Sequence, residues 1–250
     1  MTVIAISMCR NEADVVPYVI PHMLAECDRV LVADNGSTDG TLEMLGGLVK
    51  DDPRLMLTVE PRFGYRQAET MNRLVGAAAS LGADWVVPFD LDEWWDSPDG
   101  RIADVLMALP PNVYLTGVPV TDMVPQPDDP PGRNPFQRIQ MYRPGSFYSR
   151  TEYRKCAFRP APDRVLLQGN HGLDRIPFPE PGPLRIRHYP YRTLRQATMK
   201  LRHGRSAALA SGLGAGYGSH WQEWGSYDDQ DMAAWWRRWT DPRGLELWTD

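Results

Sequence analysis

The first 110 residues alternate between short runs of consecutive apolar residues and longer stretches in which apolar residues recur every three or four positions. Such runs predict buried strands, and such stretches predict amphipathic helices. Strands are predicted at 3–6, 29–33, 55–59 and 85–89, and helices at about 12–27, 40–49 and 67–81. Continuously apolar strands separated by helices are typical of a parallel sheet covered on both faces. The first half, residues 1–110, is therefore predicted to be a doubly wound α/β unit.

The pattern becomes irregular after Pro110. Strands are predicted at 113–118, 136–142, 155–158, 165–168 and 184–188, and helices at 193 to about 209 and 228–239. Trp235, Trp236 and Trp239 recur at helical spacing, which is typical of a packed aromatic stripe and less often of a sugar-stacking or partner surface. No linker separates the two halves, so we expect one continuous domain whose second half, residues 111–250, is a mixed α+β region.

Composition and charge narrow the class of protein. The chain has 250 residues, 42% of them hydrophobic, and a formal net charge of -5. This length suits one globular domain, and no basic cluster predicts a nucleic-acid surface. The three widely spaced cysteines fit neither a disulfide framework nor a zinc motif, so a reducing cytoplasm is the expected location. No apolar run reaches the length of a membrane span, which leaves peripheral membrane contact as an option.

Two aspartates one residue apart, Asp90 and Asp92, follow the predicted strand 85–89. On a continuing strand both side chains point to one side of the sheet and Leu91 points to the other. Magnesium and manganese prefer oxygen ligands and are commonly held by one or two carboxylates, together with water and substrate phosphates. A solvated acidic loop is the alternative for such a pair when it is considered alone. With the clusters described next, the pair predicts a divalent-metal site.

Two further polar clusters follow the first two predicted strands. Arg10, Asn11 and Glu12 come after the first, and the segment 34–41 comes after the second. Ligands of parallel α/β sheets bind at the carboxyl ends of the strands, where the Asp34 carboxylate can accept hydrogen bonds from a base or a ribose hydroxyl. An ordinary strand-to-helix loop is the alternative. The absence of a GxGxxG motif and of a P-loop argues against a dinucleotide oxidoreductase and a P-loop kinase.

The three clusters, in this order and at these strand ends, resemble those of GT-A glycosyltransferases of the family 2 type. The resemblance covers about residues 1–110 and, more loosely, the stretch near His188. It implies a Rossmann-like sheet that binds a nucleotide-sugar donor in the first half and an acceptor-side second half. It also implies that Asp34 contacts the base or ribose, that Asp90 lies near the ribose, and that Asp92 is the carboxylate that binds the metal.

The resemblance implies further site residues. A late histidine completes the metal shell in many GT-A enzymes, and His188 is the candidate here, with a buried core histidine as the alternative. In the basic helix that follows, Lys200 is the candidate cation for the diphosphate, because a metal and a cation together neutralise the charge that develops on departing UDP. A solvated helix with ordinary charges is the alternative. The nucleotide-sugar-binding residues expected are Arg10, Asn11, Glu12, Asp34, Arg66, Asn72, Asp90, Leu91 and Lys200, with Gln67 as a further candidate. The expected metal is Mn²⁺ or Mg²⁺, bound by Asp92 and His188.

The catalytic base is less well defined. An inverting transferase needs Asp, Glu or His within hydrogen-bond reach of the acceptor hydroxyl. His171 and Asp174 qualify by residue type, and so does Glu152. No clear counterpart exists for the Glu-Asp pair at which many family 2 enzymes carry their base, so inversion and retention both remain open. His171 is also an alternative to His188 as the metal ligand.

The predicted function is metal-dependent transfer of a sugar from a nucleoside diphosphate sugar, with UDP as the expected carrier. The acceptor is a hydroxyl or similar nucleophile on a glycan, a lipid-linked glycan, a small molecule or a peptide. A nucleotidyltransferase is one alternative, but it would usually show a glycine-rich basic loop where Asn11 and Glu12 stand. A non-catalytic sugar-nucleotide-binding or scaffold protein is the other. Neither the donor sugar nor the oligomeric state follows from the sequence.

Overall fold

The computed structural model describes residues 2–62, 66–126, 134–145, 154–177, 180–211 and 219–249, which are organised around one large sheet. The strands in these ranges are β1 (Val3–Cys9), β2 (Arg29–Asp34), β3 (Leu55–Val59), β4 (Trp85–Pro88), β5 (Glu93–Asp96), β6 (Leu115–Val124), β7 (Met141–Tyr142), β8 (Arg154–Phe158), β9 (Arg185–His188) and β10 (Glu246–Leu247). The helices are α1 (Val16–Glu26), α2 (Thr41–Asp51), α3 (Gln67–Ser80), α4 (Ile102–Ala108), α5 (Pro135–Arg138), α6 (Leu194–Ser211), α7 (Ser219–Trp224) and α8 (Asp229–Trp239).

Strands β3, β2, β1 and β4 lie side by side in this order and are parallel. Alternate residues of β1 enter two cores, because successive side chains point to opposite faces. Val3 and Ala5 pack in the core that contains α1, whereas Ile4 and Ile6 pack in the core that contains α3. Helices therefore cover both faces of the parallel strands. The predicted doubly wound α/β half is confirmed.

The second half of the chain extends the same sheet with antiparallel strands. Strand β8 pairs with β4, and β6 pairs with β8, both antiparallel. Strand β9 lies between β5 and β6, with His188 in register with Glu93 on one side and Asp122 on the other. This pairing matters for function, because it places the end of β9 beside the turn that carries Asp90 and Asp92.

Two predicted strands of the second half are wrong. Residues 135–138 form a helical turn, since Pro135 starts it and the Asn134 side chain accepts a hydrogen bond from the Phe136 amide at 3.0 Å. Only Met141–Tyr142 of that segment is extended. Segment 165–168 makes a single bridge, between Leu166 and Leu173, and then enters a 3-10 turn at 168–170. Local capping and turn formation decided both cases against the apolar pattern.

The last helices form a separate aromatic core against α6. The Tyr191 ring meets the Trp235 ring edge to face with centroids 4.9 Å apart, and Trp235 stacks with Trp239 at 6.0 Å. Met232 and Leu201 are buried in the same cluster. The predicted aromatic stripe of the last helix is thus a packing surface. Within the described ranges, every helix is too short or too polar to cross a membrane.

Candidate functional site

The Asp90–Asp92 segment is a turn between β4 and β5. Strand β4 ends at Pro88, and the Glu93 amide donates to the Asp90 carbonyl oxygen at 3.0 Å. The prediction that both aspartates share one strand face is wrong, because the turn sends the two carboxylates to different partners. Leu91 is 2% exposed and packs in the main core, so its side chain is not available to a ligand.

Asp92 is buried beneath a lysine and a histidine. Its Oδ2 atom accepts a hydrogen bond from Lys200 Nζ at 2.5 Å and lies 3.4 Å from His188 Nε2. Burial alone would raise the pKa of Asp92, but the charges of Lys200, His188 and Arg192 hold it well below the usual range. Asp92 is therefore an anion, and the predicted partners Lys200 and His188 both lie against it.

His188 is oriented by Asp122, which the sequence reasoning missed. Because β6 and β9 run parallel with these two residues in register, Asp122 Oδ1 lies 2.9 Å from His188 Nδ1. Burial lowers the pKa of His188, but Asp92 and Asp122 outweigh it and raise the pKa to about 10. The sequence signal for Asp122 was a charged residue inside a largely apolar segment. The structure buries this residue to 1% exposure.

Glu12 holds Lys200 from the other side. Lys200 Nζ donates to Glu12 Oε1 at 3.0 Å, and the guanidinium of Arg192 donates to Glu12 Oε2 at 2.5 Å. Arg192 is buried and also donates to both carboxylate oxygens of Asp14, at 2.7 and 2.8 Å. We call Asp92, His188, Lys200 and Glu12 the Asp92 cluster. Its cations are the ones that sequence reasoning placed in the donor site.

Asp90 belongs to a second group of side chains, the Asp90 cluster, with Lys155, Glu93, Gln67 and Asn170. Lys155 Nζ lies 2.6 Å from Asp90 Oδ2 and 3.0 Å from Glu93 Oε1. Gln67 Nε2 and Asn170 Nδ2 each donate to Asp90 Oδ1 at 3.3 Å. Burial lowers the pKa of Lys155, but the two carboxylates raise it above its usual value. Asp90 is thus fixed by three side chains.

A cavity of about 590 Å³ opens beside the Asp92 cluster, at the carboxyl ends of β1 and β2. The predicted residues Arg10, Asn11, Glu12 and Lys200 all line it. Asn35 and Asp39 of the predicted segment 34–41 line it as well. Sequence reasoning missed several other lining residues, among them Arg138, Gln196, His203, Tyr18 and Met199. These residues lie far apart in the sequence, so only the fold brings them together. We call this space the main cavity.

The family model described as Glycosyl transferase family 2 matches residues 5–168, a stretch that contains both aspartates and the polar ends of β1 and β2. The chain belongs to glycosyl transferase family 2. This membership confirms the resemblance drawn from the sequence motifs, and with it the expectation of a glycosyltransferase.

One relative is the succinoglycan biosynthesis protein ExoA of Rhizobium meliloti (strain 1021), which is 35% identical over 86 residues. The match covers 33% of this chain, and the chain spans only 25% of the length of that protein. Among solved structures, the mannosyltransferase PcManGT from Pyrobaculum calidifontis, in complex with GDP-Man and Mn²⁺, is 17% identical with a TM-score of 0.47. That match covers 97% of this chain and 76% of the other. GalNAc-T7 with UDP, GalNAc and Mn²⁺ is 11% identical with a TM-score of 0.42, covering 95% and 56%.

Among the described residues, the spacing of Asp92 and His188 suits a divalent cation. Two donor atoms bound at about 2.1 Å and at a right angle on an octahedral cation lie about 3 Å apart. The 3.4 Å between Asp92 Oδ2 and His188 Nε2 is close to that spacing. Over the described ranges, no group of three His, Cys, Asp or Glu side chains converges in this way. Two protein ligands, completed by water and substrate phosphates, are sufficient for Mg²⁺ or Mn²⁺.

Asp34 shapes the loop after β2. Its side chain is fully buried, and its Oδ1 atom accepts hydrogen bonds from the Gly36 and Ser37 amides at 2.9 and 3.0 Å. The same loop is tied to the end of β1, because the Thr38 amide donates to Asn11 Oδ1 at 2.7 Å. Contact of Asp34 with a base or ribose stays a prediction. Its observed role is to order the loop on that side of the main cavity.

Three predicted residues lie elsewhere. Arg66, Asn72 and Asp174 line a second cavity of about 490 Å³, together with Glu69 and residues 165–168. Asn72 also holds that segment in place, since it exchanges two 2.8 Å hydrogen bonds with the Leu166 backbone. The structure therefore does not bring these three residues to the main cavity.

His171 is half-buried beside Gly169, in the loop that supplies Asn170 to the Asp90 cluster. Like Asp174, it is not among the residues that line the main cavity. Its role as a base or as an alternative metal ligand stays a prediction. Glu152, the further candidate base, lies outside the described residues.

Proposed function

We propose that this chain transfers a glycosyl group from a nucleoside diphosphate sugar to an acceptor hydroxyl in a reaction that depends on Mn²⁺ or Mg²⁺. The observation that carries the proposal is the joining of a buried anion to a nucleotide-sized cavity: Asp92 lies beneath Lys200, and Lys200 lines the main cavity at the strand ends where α/β proteins bind ligands. A buried anion there suits the capture of a cation together with the phosphates of a donor. UDP is the carrier that we expect.

In the proposed donor complex, Asp92 and His188 hold the cation, and Asp122 fixes the orientation of the imidazole. Metal-bound histidines commonly donate their other ring nitrogen to a carboxylate, and His188 Nδ1 lies 2.9 Å from Asp122. His188 would hold the cation as a neutral imidazole, the form in which histidine coordinates metals. When bound, the cation supplies Lewis-acid neutralisation of the charge that develops on the departing diphosphate.

The other residues are proposed to bind and orient the donor. Arg10 and Lys200, which line the main cavity, face the diphosphate, where a second cation adds to the stabilisation of the leaving group. Asp90 accepts hydrogen bonds from the ribose. Its carboxylate suits this task because it is 28% exposed and still held in place by Lys155. Asn11 and Asp34 support this arrangement by ordering the loops at the ends of β1 and β2.

Asp174 and His171 remain the candidate bases. The Asp174 side chain is half exposed in the second cavity, so it would act on an acceptor that reaches from there toward the donor. Asp174→Asn and His171→Ala are therefore best compared in two assays, transfer to an acceptor and hydrolysis of the donor. A base specific to the acceptor affects transfer much more strongly than hydrolysis.

The decisive experiment measures release of nucleoside diphosphate from a panel of UDP- and GDP-sugars, with Mn²⁺ and again after chelation. We expect slow release from a UDP-sugar that stops when the chelator is added. Tight binding of donors without any turnover would instead indicate a non-catalytic binding protein. Release of pyrophosphate from a nucleoside triphosphate and a sugar phosphate would indicate a nucleotidyltransferase.

A thermal-shift screen selects the donor for this assay. A ligand that binds only the folded state raises the melting temperature, by an amount set by its concentration relative to the Kd. We expect the largest rise with a UDP-sugar and Mn²⁺ together, and a smaller rise with either one alone. A larger rise with a GDP-sugar would correct the carrier and leave the reaction class unchanged.

A further inference from the structure

We propose that Lys200 is a built-in counter-cation of Asp92, that a divalent cation must displace its ammonium group, and that the displaced ammonium then binds the donor diphosphate. This inference rests on the proposed metal-dependent function. It adds a competition at the metal site, with consequences for the affinity of the cation that can be measured before any donor is added.

The competition follows from the sharing of one oxygen atom. Asp92 Oδ2 is the atom that lies 3.4 Å from His188 Nε2, and it is also the atom to which Lys200 Nζ donates at 2.5 Å. A cation bound between Oδ2 and the imidazole would lie within a few ångströms of Nζ. Like charges at that separation repel, and the repulsion is stronger than in bulk water because Asp92 is only 5% exposed. Coordination therefore competes with the Lys200–Asp92 contact.

Once displaced from Asp92, the Lys200 ammonium group would keep a second partner beside the main cavity. Its Nζ atom also lies 3.0 Å from Glu12 Oε1, and Glu12 is fixed from behind by the buried Arg192. The lysine side chain is 28% exposed and lines the main cavity. A small rotation would thus carry the ammonium group into the cavity while it keeps Glu12 as a partner. The same cavity is the proposed place of the diphosphate.

The displacement is confined to the side chain, because helix α6 is anchored one turn further on. Gly204 lies against Trp221, so closely that an added Cβ would be 2.8 Å from the indole ring. Leu201, next to Lys200, is fully buried in the aromatic core of the last helices. These contacts fasten α6 next to Lys200, so the proposed exchange is a movement of the Lys200 side chain.

The test is a titration of the whole protein with Mn²⁺, followed by electron paramagnetic resonance of the free ion, without any donor. Lys200→Met and Lys200→Gln remove the competing charge, and Lys50→Met makes the same change of charge on an exposed lysine of α2. We expect both Lys200 variants to bind Mn²⁺ more tightly than the wild type, on the order of tenfold, the scale of changes next to metal ligands. Lys50→Met should bind like the wild type. Melting curves of each variant verify that it is folded.

Transfer assays complete the test. The Lys200 variants should turn over more slowly at saturating Mn²⁺, because the diphosphate loses its cation. Equal Mn²⁺ affinity in the wild type and both Lys200 variants would overturn the inference while leaving a metal-dependent enzyme. Absence of Mn²⁺ binding in all proteins, together with donor turnover in the presence of chelator, would overturn the inference through failure of the proposed metal itself.

Discussion

Asp90 and Asp92 each pair with a lysine, and the two pairs are reversed in their exposure to solvent. In the first pair Lys155 is 7% exposed and Asp90 is 28% exposed, whereas in the second Lys200 is 28% exposed and Asp92 is 5% exposed. A buried lysine beneath an accessible carboxylate holds that carboxylate in place for a ligand. An accessible lysine above a buried carboxylate can be exchanged for another cation. Under the proposed function, the two aspartates of this turn therefore have different roles.

The elements behind each lysine explain the difference. Lys155 lies on β8, a strand in the middle of the sheet, and also neutralises the buried Glu93. Glu93 in turn accepts hydrogen bonds from the Asp90 amide and the Trp95 indole, at 3.0 and 2.9 Å. Lys200 lies on α6 at the wall of the main cavity, where only side chains need to move. A rigid strand suits positioning, and a helix surface suits exchange.

We call Asp92–Lys200 the exchangeable pair and Asp90–Lys155 the positioning pair. The largest effect is expected for Asp92→Asn, which removes the anion of the exchangeable pair. Transfer should fall by at least about 10³-fold, equal to about 4 kcal/mol of transition-state stabilisation, since the amide cannot hold the cation. Assays with a saturating UDP-sugar and Mn²⁺ measure this. Asp52→Asn, which changes a surface aspartate paired with Arg54, is the matched control and should be active. Near-normal turnover by Asp92→Asn would refute the assignment of Asp92 to the metal.

The second-largest effect is a loss of folding stability, which should differ between the Lys155 and Lys200 variants. Lys155→Met should destabilise the protein by about 3 kcal/mol, because Glu93 is left buried without a counter-charge. Lys200→Met should cost about 1 kcal/mol, because Lys200 is partly exposed and Asp92 keeps His188. Urea unfolding of both variants measures the free energy of unfolding.

A double variant tests the cause of that destabilisation. Lys155→Met combined with Glu93→Gln should recover part of the loss, since the uncompensated charge is gone. Equal destabilisation by Lys155→Met and Lys200→Met would erase the distinction between a positioning pair and an exchangeable pair.

A smaller change is expected for Asp122→Asn, which disturbs His188 beside the exchangeable pair without removing a proposed metal ligand. Loss of the carboxylate that orients His188 should weaken Mn²⁺ binding by about 10- to 100-fold, the range typical of partners of metal-bound histidines. Electron paramagnetic resonance of free Mn²⁺ gives the Kd, again with Asp52→Asn as the control. Unchanged affinity would refute the assignment of Asp122 as the residue that orients a metal-bound His188.

The parallel half of the fold could be predicted because each strand is long, apolar and bounded by a helix with clear periodicity. Strands β1 to β4 and helices α1 to α3 lie within a few residues of their predicted positions. The second half was harder to predict from the sequence, because its strands are short and pair across long sequence distances. Asn134 and Pro135, for example, turn an apolar segment into a helical turn by local hydrogen bonding.

Sequence motifs predicted individual site residues but not the contacts that depend on which strands pair. Asp92, His188 and Lys200 were chosen from the sequence, and the fold brings these three residues together. Lys155 and Asp122 could not be chosen, because their roles depend on which strands become neighbours in the sheet. The divergence of Asp90 from Asp92 was missed for a similar reason: a single backbone hydrogen bond from the Glu93 amide converts an assumed strand into a turn.

The smallest effect is expected for Gln67→Ala, which removes one hydrogen bond that fixes Asp90 in the positioning pair. Gln67 is one of two amides that donate to Asp90 Oδ1 at 3.3 Å, and its own Oε1 accepts from the Gly169 amide at 3.1 Å. Its loss therefore leaves Lys155 on Asp90 and loosens the loop that carries Asn170. The hydrogen-bond donor is an uncharged amide and the 3.3 Å hydrogen bond to the Asp90 carboxylate is long, so we assign it about 1 kcal/mol and expect the KM for the donor to rise by about fivefold with little change in kcat. The Kd for Mn²⁺ should stay the same, because Asp90 is assigned to the ribose. A loss of Mn²⁺ affinity as large as the rise in KM would instead make Asp90 a second metal ligand, and the two aspartates would then share one task.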